Sequence, residues 1–471
     1  MILIAAAFAL VGWWYRDAQR TRTVLIAGVP ALPDDLPRRT DGLARRLKAA
    51  TDLARRDPEH GSPLAELATL YQANGYATQA ETALRALVAT DPGEPRWPHR
   101  LAVLIGGFGR LDEARGWLQR ATSLDPDYAP AWVRLGDTAL KLNDLAGATA
   151  AYSRALALAD AATTPHAELG LARCEASGGN ETAAYTRLTA LLSHSPDFGP
   201  AWSLLARLAD QLNHPAEAAA ARARSVSRDR FRDVPDPWID ELFDACFDPY
   251  QLAVAADLYA SASAPLRARE LLQRALAIDP EDAAVHRQLG TLLADLGDMN
   301  AARRALERAT QLAPTEADGW AYLIDVLKRQ NDASSLARAV ANGLAHNPRS
   351  PSLHLERGRL LAAGGDLPHA VEEFETSIQL RPAEPGPYVE VAGLYFKLNR
   401  VDEGIARLNA ALKAEPGYPV ALSTLAFVAI GQRDEDAASH WLEEIARQPR
   451  VPPADRAQLI ERFRTTFGRQ P

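Results

Sequence analysis

Cysteine is almost absent from this chain. Cys174 and Cys246 stand alone, far apart and without CxxC or CxxCH spacing. That excludes a disulfide framework, a cysteine zinc site and covalent c-type haem. Aromatic residues fill only 7% of the 471 positions, and basic residues give no excess, with 52 Lys and Arg against 60 Asp and Glu for a net charge of -8. A chain with no positive field has nothing to gather phosphates, so no nucleic-acid partner is expected. The ten histidines are dispersed, with no HExxH and no i,i+4 pair, and read as solvent-facing or capping residues rather than metal ligands. GxxxxGK[ST] loops, GxSxG elbows and dinucleotide fingerprints are missing too. No catalytic residue, cofactor, metal or small-molecule substrate is therefore expected.

What is present is leucine and alanine in abundance, with 47% hydrophobic and 24% charged residues. Those are ordinary globular values, and few aromatics beside many small residues point to helices packed on helices. The first fifteen residues, Met1 to Tyr15, carry no charge and end in Trp13, Trp14 and Tyr15 ahead of Arg16, Arg20 and Arg22. This stretch reads as a membrane anchor with an interfacial aromatic belt. At 1.5 Å per residue it spans roughly 22 Å against a hydrocarbon core of about 30 Å. A cleaved signal or a buried terminal helix are the other readings. Residues 16–60 then supply a proline-punctuated stalk (Pro30, Pro33, Pro37) and an N-terminal capping helix.

Internal repetition organises the rest. Prolines fall at Pro280, Pro314, Pro348, Pro382 and Pro416, each 34 residues after the last, and Pro92 and Pro126 keep the same spacing. Eleven units begin near Gly61, Pro95, Ala129, Pro165, Gly199, Pro249, Ala283, Ala317, Pro351, Pro385 and Pro419. Fourteen residues into each unit stand Gly75, Gly109, Asn143, Gly179, Asn213, Ser263, Gly297, Asn331, Gly365, Asn399 and Arg433. Gly and Asn best tolerate the left-handed conformation that ends a helix. Five positions on comes a small residue, as at Ala80, Ala114, Ala148 and Ala302, and four beyond that a large apolar one, as at Leu84, Leu118, Tyr152 and Leu306. Only Arg222 breaks the second column. Each unit is a helix, a turn and a helix.

Trp132, Leu135 and Gly136, then Trp202, Leu205 and Ala206, and above all His286, Leu289, Gly290, Leu293, Ala302, Leu306, Ala309 and Pro314, resemble the tetratricopeptide repeat pattern. The resemblance runs over residues 61–450. It implies an all-α solenoid, a right-handed superhelix of helical hairpins, whose concave side is lined by first helices and holds peptides or partner proteins. Five units fill 61–232 and six fill 249–452, with the anchor at 1–15 and a capping helix at 453–471. The lysine and asparagine of a chaperone carboxylate clamp are missing, since the matching positions read Ala65 and Thr69, His99 and Val103, Val133 and Asp137.

Candidate partner-binding residues follow. Arg173, Arg207 and Arg359 lie on the inner face, where they either pair with acidic peptide side chains or solvate a wall that also holds Asp137, Asp257 and Asp325. Tyr250, Phe396 and Phe427 are apolar candidates there, or pack on a neighbouring helix. The segment 233–248 breaks the repeat. It carries six carboxylates and no base, interleaved with Trp238, Phe243 and Phe247. One reading is an amphipathic helix docked between two sub-arrays. The other is a recognition surface in which Trp238, Asp240, Glu241 and Asp244 meet a basic partner. The functional expectation is a non-catalytic, membrane-tethered, single-pass scaffold for a protein or peptide partner, its array on the periplasmic or cytoplasmic side. An assembly factor of a bacterial envelope complex and a substrate-selecting subunit of an enzyme such as a glycosyltransferase are the alternatives.

Overall fold

The computed structural model describes residues 2–36, 41–58, 61–228, 233–261, 264–448 and 450–470. Every regular element among them is helical. They form two compact units, Met1–Pro280 and Glu281–Pro471. In the first unit α1 (Ile2–Ala27) and α2 (Asp41–Arg56) precede six helical hairpins. Hairpin 1 pairs Ser62–Ala73 with Ala77–Thr90, hairpin 2 Arg96–Gly107 with Leu111–Leu124, and hairpin 3 Ala129–Lys141 with Leu145–Ala157. Hairpin 4 pairs Thr164–Ser177 with Glu181–His194, hairpin 5 Gly199–Gln211 with Pro215–Arg228, and hairpin 6 Pro249–Ser261 with Pro265–Ile278. The second unit holds hairpins 7 to 11, from Ala283–Asp295 with Met299–Leu312 through Pro419–Gln432 with Glu435–Arg447, and a final helix Pro453–Phe467.

Local chemistry explains these boundaries. Ten of the eleven turn positions adopt φ between 55° and 86°, as their Gly and Asn content allows; Ser263 lies outside the described residues. Asp144, Asn180, Asp298, Asp332, Asp366 and Asp434 cap the second helices by accepting a backbone N–H. Each such cap is worth about 1 kcal/mol. The small column, Ala80, Ala114, Ala148, Ala184, Ala218, Ala268, Ala302, Ala370 and Ala438, is buried, which brings the two helices of a hairpin into contact. Leu84, Leu118, Tyr152, Leu188, Leu272, Leu306 and Phe374 fill the core behind it. Arg222, the exception, instead pairs with Asp210 at the surface.

Among the ten described positions of the turn column, Arg433 alone is neither Gly nor Asn, and it sits at φ 60°. An L side chain there costs about 1–2 kcal/mol, part of which glycine gives back as chain entropy. Arg433→Gly should therefore stabilise hairpin 11 by roughly 0.5–1 kcal/mol. A thermal melt with a higher midpoint would bear this out, and a lower one would show that the side chain holds something in place.

The expected N-terminal membrane anchor is not shown. No described helix is long and apolar enough to cross a membrane. The uncharged stretch is only about 22 Å long as a helix, and α1 continues without a break through Arg16, Asp17, Arg20 and Arg22 to Ala27. Residues 24–36 are not an extended stalk either. Leu25 and Leu36 are buried against hairpin 1, with Val24, Val29 and Leu32 packed beside them. Gly28 lies so close that a Cβ there would stand 2.3 Å from that of Ala86. The prolines shape this segment, but the leucines between them pin it to the array. At the other end, Leu459 and Phe463 of the final helix close the core of hairpin 11.

Candidate peptide-binding face

Segment 233–248 does not form one amphipathic helix. Pro235 and Pro237 keep the chain around Asp236 extended, with Asp236 at φ -141° and ψ 89°. One helical turn, Pro237–Asp240, and a 3-10 turn, Glu241–Ala245, follow. The segment packs onto hairpins 1 to 3, and hairpin 6 closes over its other side.

Asp236 is the anchor, 1% exposed. Its carboxylate sits 2.8 Å from His99 Nε2, accepts from the Tyr128 hydroxyl at 2.7 Å, and accepts from Arg134 Nε. Burial alone pushes this carboxyl up, but the His99 charge and hydrogen bond, with Arg134 and Tyr128, outweigh it and hold the group below the usual carboxylate range. Arg134 also reaches Asp233 at 3.2 Å. Tyr128 is pushed far up by burial and by the Asp236 charge, so it stays a neutral donor. Trp238 stacks on the Tyr128 ring at 3.5 Å between centroids, 9° from parallel, and meets His99 edge-on at 5.3 Å.

Backbone recognition takes over downstream. The Asn74 amide donates to Ala245 O at 2.9 Å and accepts from Phe247 N at 2.7 Å, gripping one stretch of main chain with both of its ends. Arg274 donates to the carbonyls of Phe243, Asp244 and Cys246, and Arg267 pairs with Asp244 at 2.7 Å. Burial pushes the Asp240 carboxyl up, with the Tyr259 hydroxyl bonded to it in opposition.

Beside the segment the fit is incomplete. A cavity of about 580 Å³ is lined by Thr69, Trp97, Arg96, Arg100 and Glu241 among others. Arg100 is 3% exposed; it donates to Gln72 and Thr69 at 3.0 Å, yet its Nη2 has no partner. Burial pushes this guanidinium down to about 10, against the pull of Glu241. His99, fully enclosed, likewise leaves Nδ1 without a partner.

The stacked hairpins therefore present a first-helix face equipped to hold an extended acidic segment by side chain and main chain together. A tetratricopeptide repeat family model matches residues 65–129, 106–163 and 323–385, and a second model of that repeat matches 259–324. The chain carries tetratricopeptide repeats. Among curated relatives it is similar to cellulose synthase 2 operon protein C of Komagataeibacter xylinus, 30% identical over 393 residues covering 75% of this chain and 28% of the relative. It is also similar to cellulose synthase operon protein C of Pseudomonas fluorescens (strain SBW25), 24% identical over 413 residues covering 76% of this chain and 32% of the relative. The chain thus spans about a third or less of the curated relatives it matches. Solved structures similar to it include MamA (21% identity, TM-score 0.31, 34% of this chain and 94% of that one) and the peptide-binding repeat protein YrrB (18%, 0.32, 38% and 92%).

The repeat array places the sequence-derived candidates unevenly. Trp238, Asp240, Glu241 and Asp244 come together in the seated segment, where Trp238, Asp240 and Asp244 already have partners within the chain. Tyr250, just beyond, is 72% exposed. Arg173 and Arg207 are exposed on hairpins 4 and 5. In the second unit Arg359 is held by Glu356 and Glu390, and Phe396 packs so tightly on Gly404 that a Cβ there would meet its ring at 2.4 Å. Phe427 stays half-exposed beneath the Arg462 guanidinium at 4.1 Å. His99, Tyr128, Arg134 and Asn74 escaped the sequence reading. His99 stood at a groove position, yet nothing adjacent in sequence announced a carboxylate for it.

Proposed function

We propose that this tetratricopeptide repeat chain is a non-catalytic scaffold that holds a protein partner on its first-helix faces, within a polysaccharide-synthase assembly of a bacterial envelope. The observation that carries the interaction role is the face over hairpins 1 to 3, with buried His99 and Asn74 and the partly buried Arg134 arranged around main chain and carboxylate. The names of the cellulose synthase operon relatives support the setting. Among the described residues no group of three or more His, Cys, Asp or Glu is placed to hold a metal ion. Affinity capture from the native host with the full chain as bait, read by mass spectrometry, tests the proposal. Subunits of a polysaccharide-synthesis machine are the expected catch. A reproducible catch without any of them would overturn the setting, and none at all would overturn the scaffold.

A further inference from the structure

The seated segment has features of a ligand beside those of a core element. Val234, Leu242 and Cys246 are buried, but much of its hold is polar, and a buried ion pair is weak evidence of a stabilising role. Asn74 and Arg274 grip its main chain, which any sequence of similar backbone path would offer. Its only fully enclosed charge is the carboxylate of Asp236, flanked by two prolines and followed by a tryptophan. The seat is also under-filled, since Arg100 Nη2 and His99 Nδ1 lack partners while the cavity beside Arg100 stands next to Glu241. A buried guanidinium nitrogen without an acceptor carries a desolvation cost that a better-placed carboxylate would relieve.

We propose that residues 233–248 are a built-in occupant of the face over hairpins 1 to 3, and that the partner recognised there is an acidic, proline-flanked, aromatic-bearing segment of another protein. This rests on the scaffold reading and names its partner's chemistry. The incoming segment replaces Asp236 between His99 and Arg134, stacks an aromatic ring on Tyr128, and supplies a further carboxylate to Arg100. Its own occupant lowers the apparent affinity of the face by the fraction of molecules in which the face is open.

The test uses the full chain, wild type and Asp236→Asn/Trp238→Ala, with a fluorescein-labelled peptide of the 233–248 sequence carrying serine in place of cysteine. Anisotropy should show about tenfold or tighter binding to the variant than to wild type. Adding Arg100→Gln should change the binding of this peptide little, since the same sequence in its seat leaves Arg100 Nη2 without a partner. Equal binding by wild type and variant, or none by a variant of wild-type helicity, overturns the inference. Should the variant fail to fold, wild-type hydrogen exchange decides. Peptide at about millimolar concentration, matching a tethered segment, should raise exchange across 234–247, and unchanged exchange overturns the proposal. If every peptide arm fails while affinity capture still returns synthase subunits, only this inference falls. If the capture fails as well, the scaffold reading falls with it.

Discussion

Asp236→Ala should release the 233–248 segment from its seat. The substitution removes one carboxylate and leaves Arg134 and the enclosed His99 without their common acceptor. Breaking a buried pair from one side costs about 3–5 kcal/mol. Because each 1.4 kcal/mol is a factor of ten, hydrogen exchange over 234–247 should accelerate on the order of a hundredfold or more. Asp236→Asn, which keeps an acceptor for the Tyr128 hydroxyl, should do less. Exchange as slow as in wild type would show that the ion cluster is not what seats the segment. The pH dependence has a definite sign. The Asp236 carboxyl is depressed in the folded chain, so its contribution is fully present above the ordinary carboxylate value of about 4 and is lost as pH falls through the lower folded value. Added salt should change little, since the carboxylate is buried.

Gly170→Val should part hairpins 3 and 4. The Tyr152 ring is fully buried between two glycines of successive first helices: a Cβ at Gly136 would lie 2.6 Å from the ring and one at Gly170 2.4 Å. The ring cannot swing aside, because its hydroxyl donates to Asp137 at 2.6 Å. Overpacking of this kind costs about 1–3 kcal/mol and more where nothing yields, and here a backbone would have to move. Tyr152→Ala alone opens a cavity at a cost of about 3–5 kcal/mol, by analogy with other large aromatic truncations. The double variant should be less damaged than the sum of the two, because each change makes room for the other. Strict additivity in thermal and urea unfolding would mean that the ring and the glycine are not in contact.

The two sets of features differ in the range of the forces that specify them. Proline spacing, left-handed turn residues and the alternation of small and large apolar positions act within one 34-residue unit, so the pattern was readable in the chain itself. Even the misfit was visible, for Arg433 was one of two outliers of the turn column and sits at positive φ. The seat of Asp236 was not readable. Its partners lie 137, 108 and 102 residues away, and Asn74 reaches Phe247 across 173. The run of acids around Trp238 marked the segment as unusual, but charge without a local counterpart does not say where the counterpart is. The residues after α1 misled for a related reason. Three prolines outweighed Leu25, Leu32 and Leu36, whose burial depends on a hairpin that follows them.

The separation of Asp236 from His99 and Arg134 also sets an order of events at birth. On a ribosome adding about 5–20 residues per second, the 102 residues from Arg134 to Asp236 take roughly 5–20 s. Hairpins 1 to 3 are rich in local contacts and fold on a far shorter timescale. For that interval the newborn face offers its imidazole and guanidinium groups to whatever acidic stretch is nearby, and the chain's own segment arrives as the later competitor.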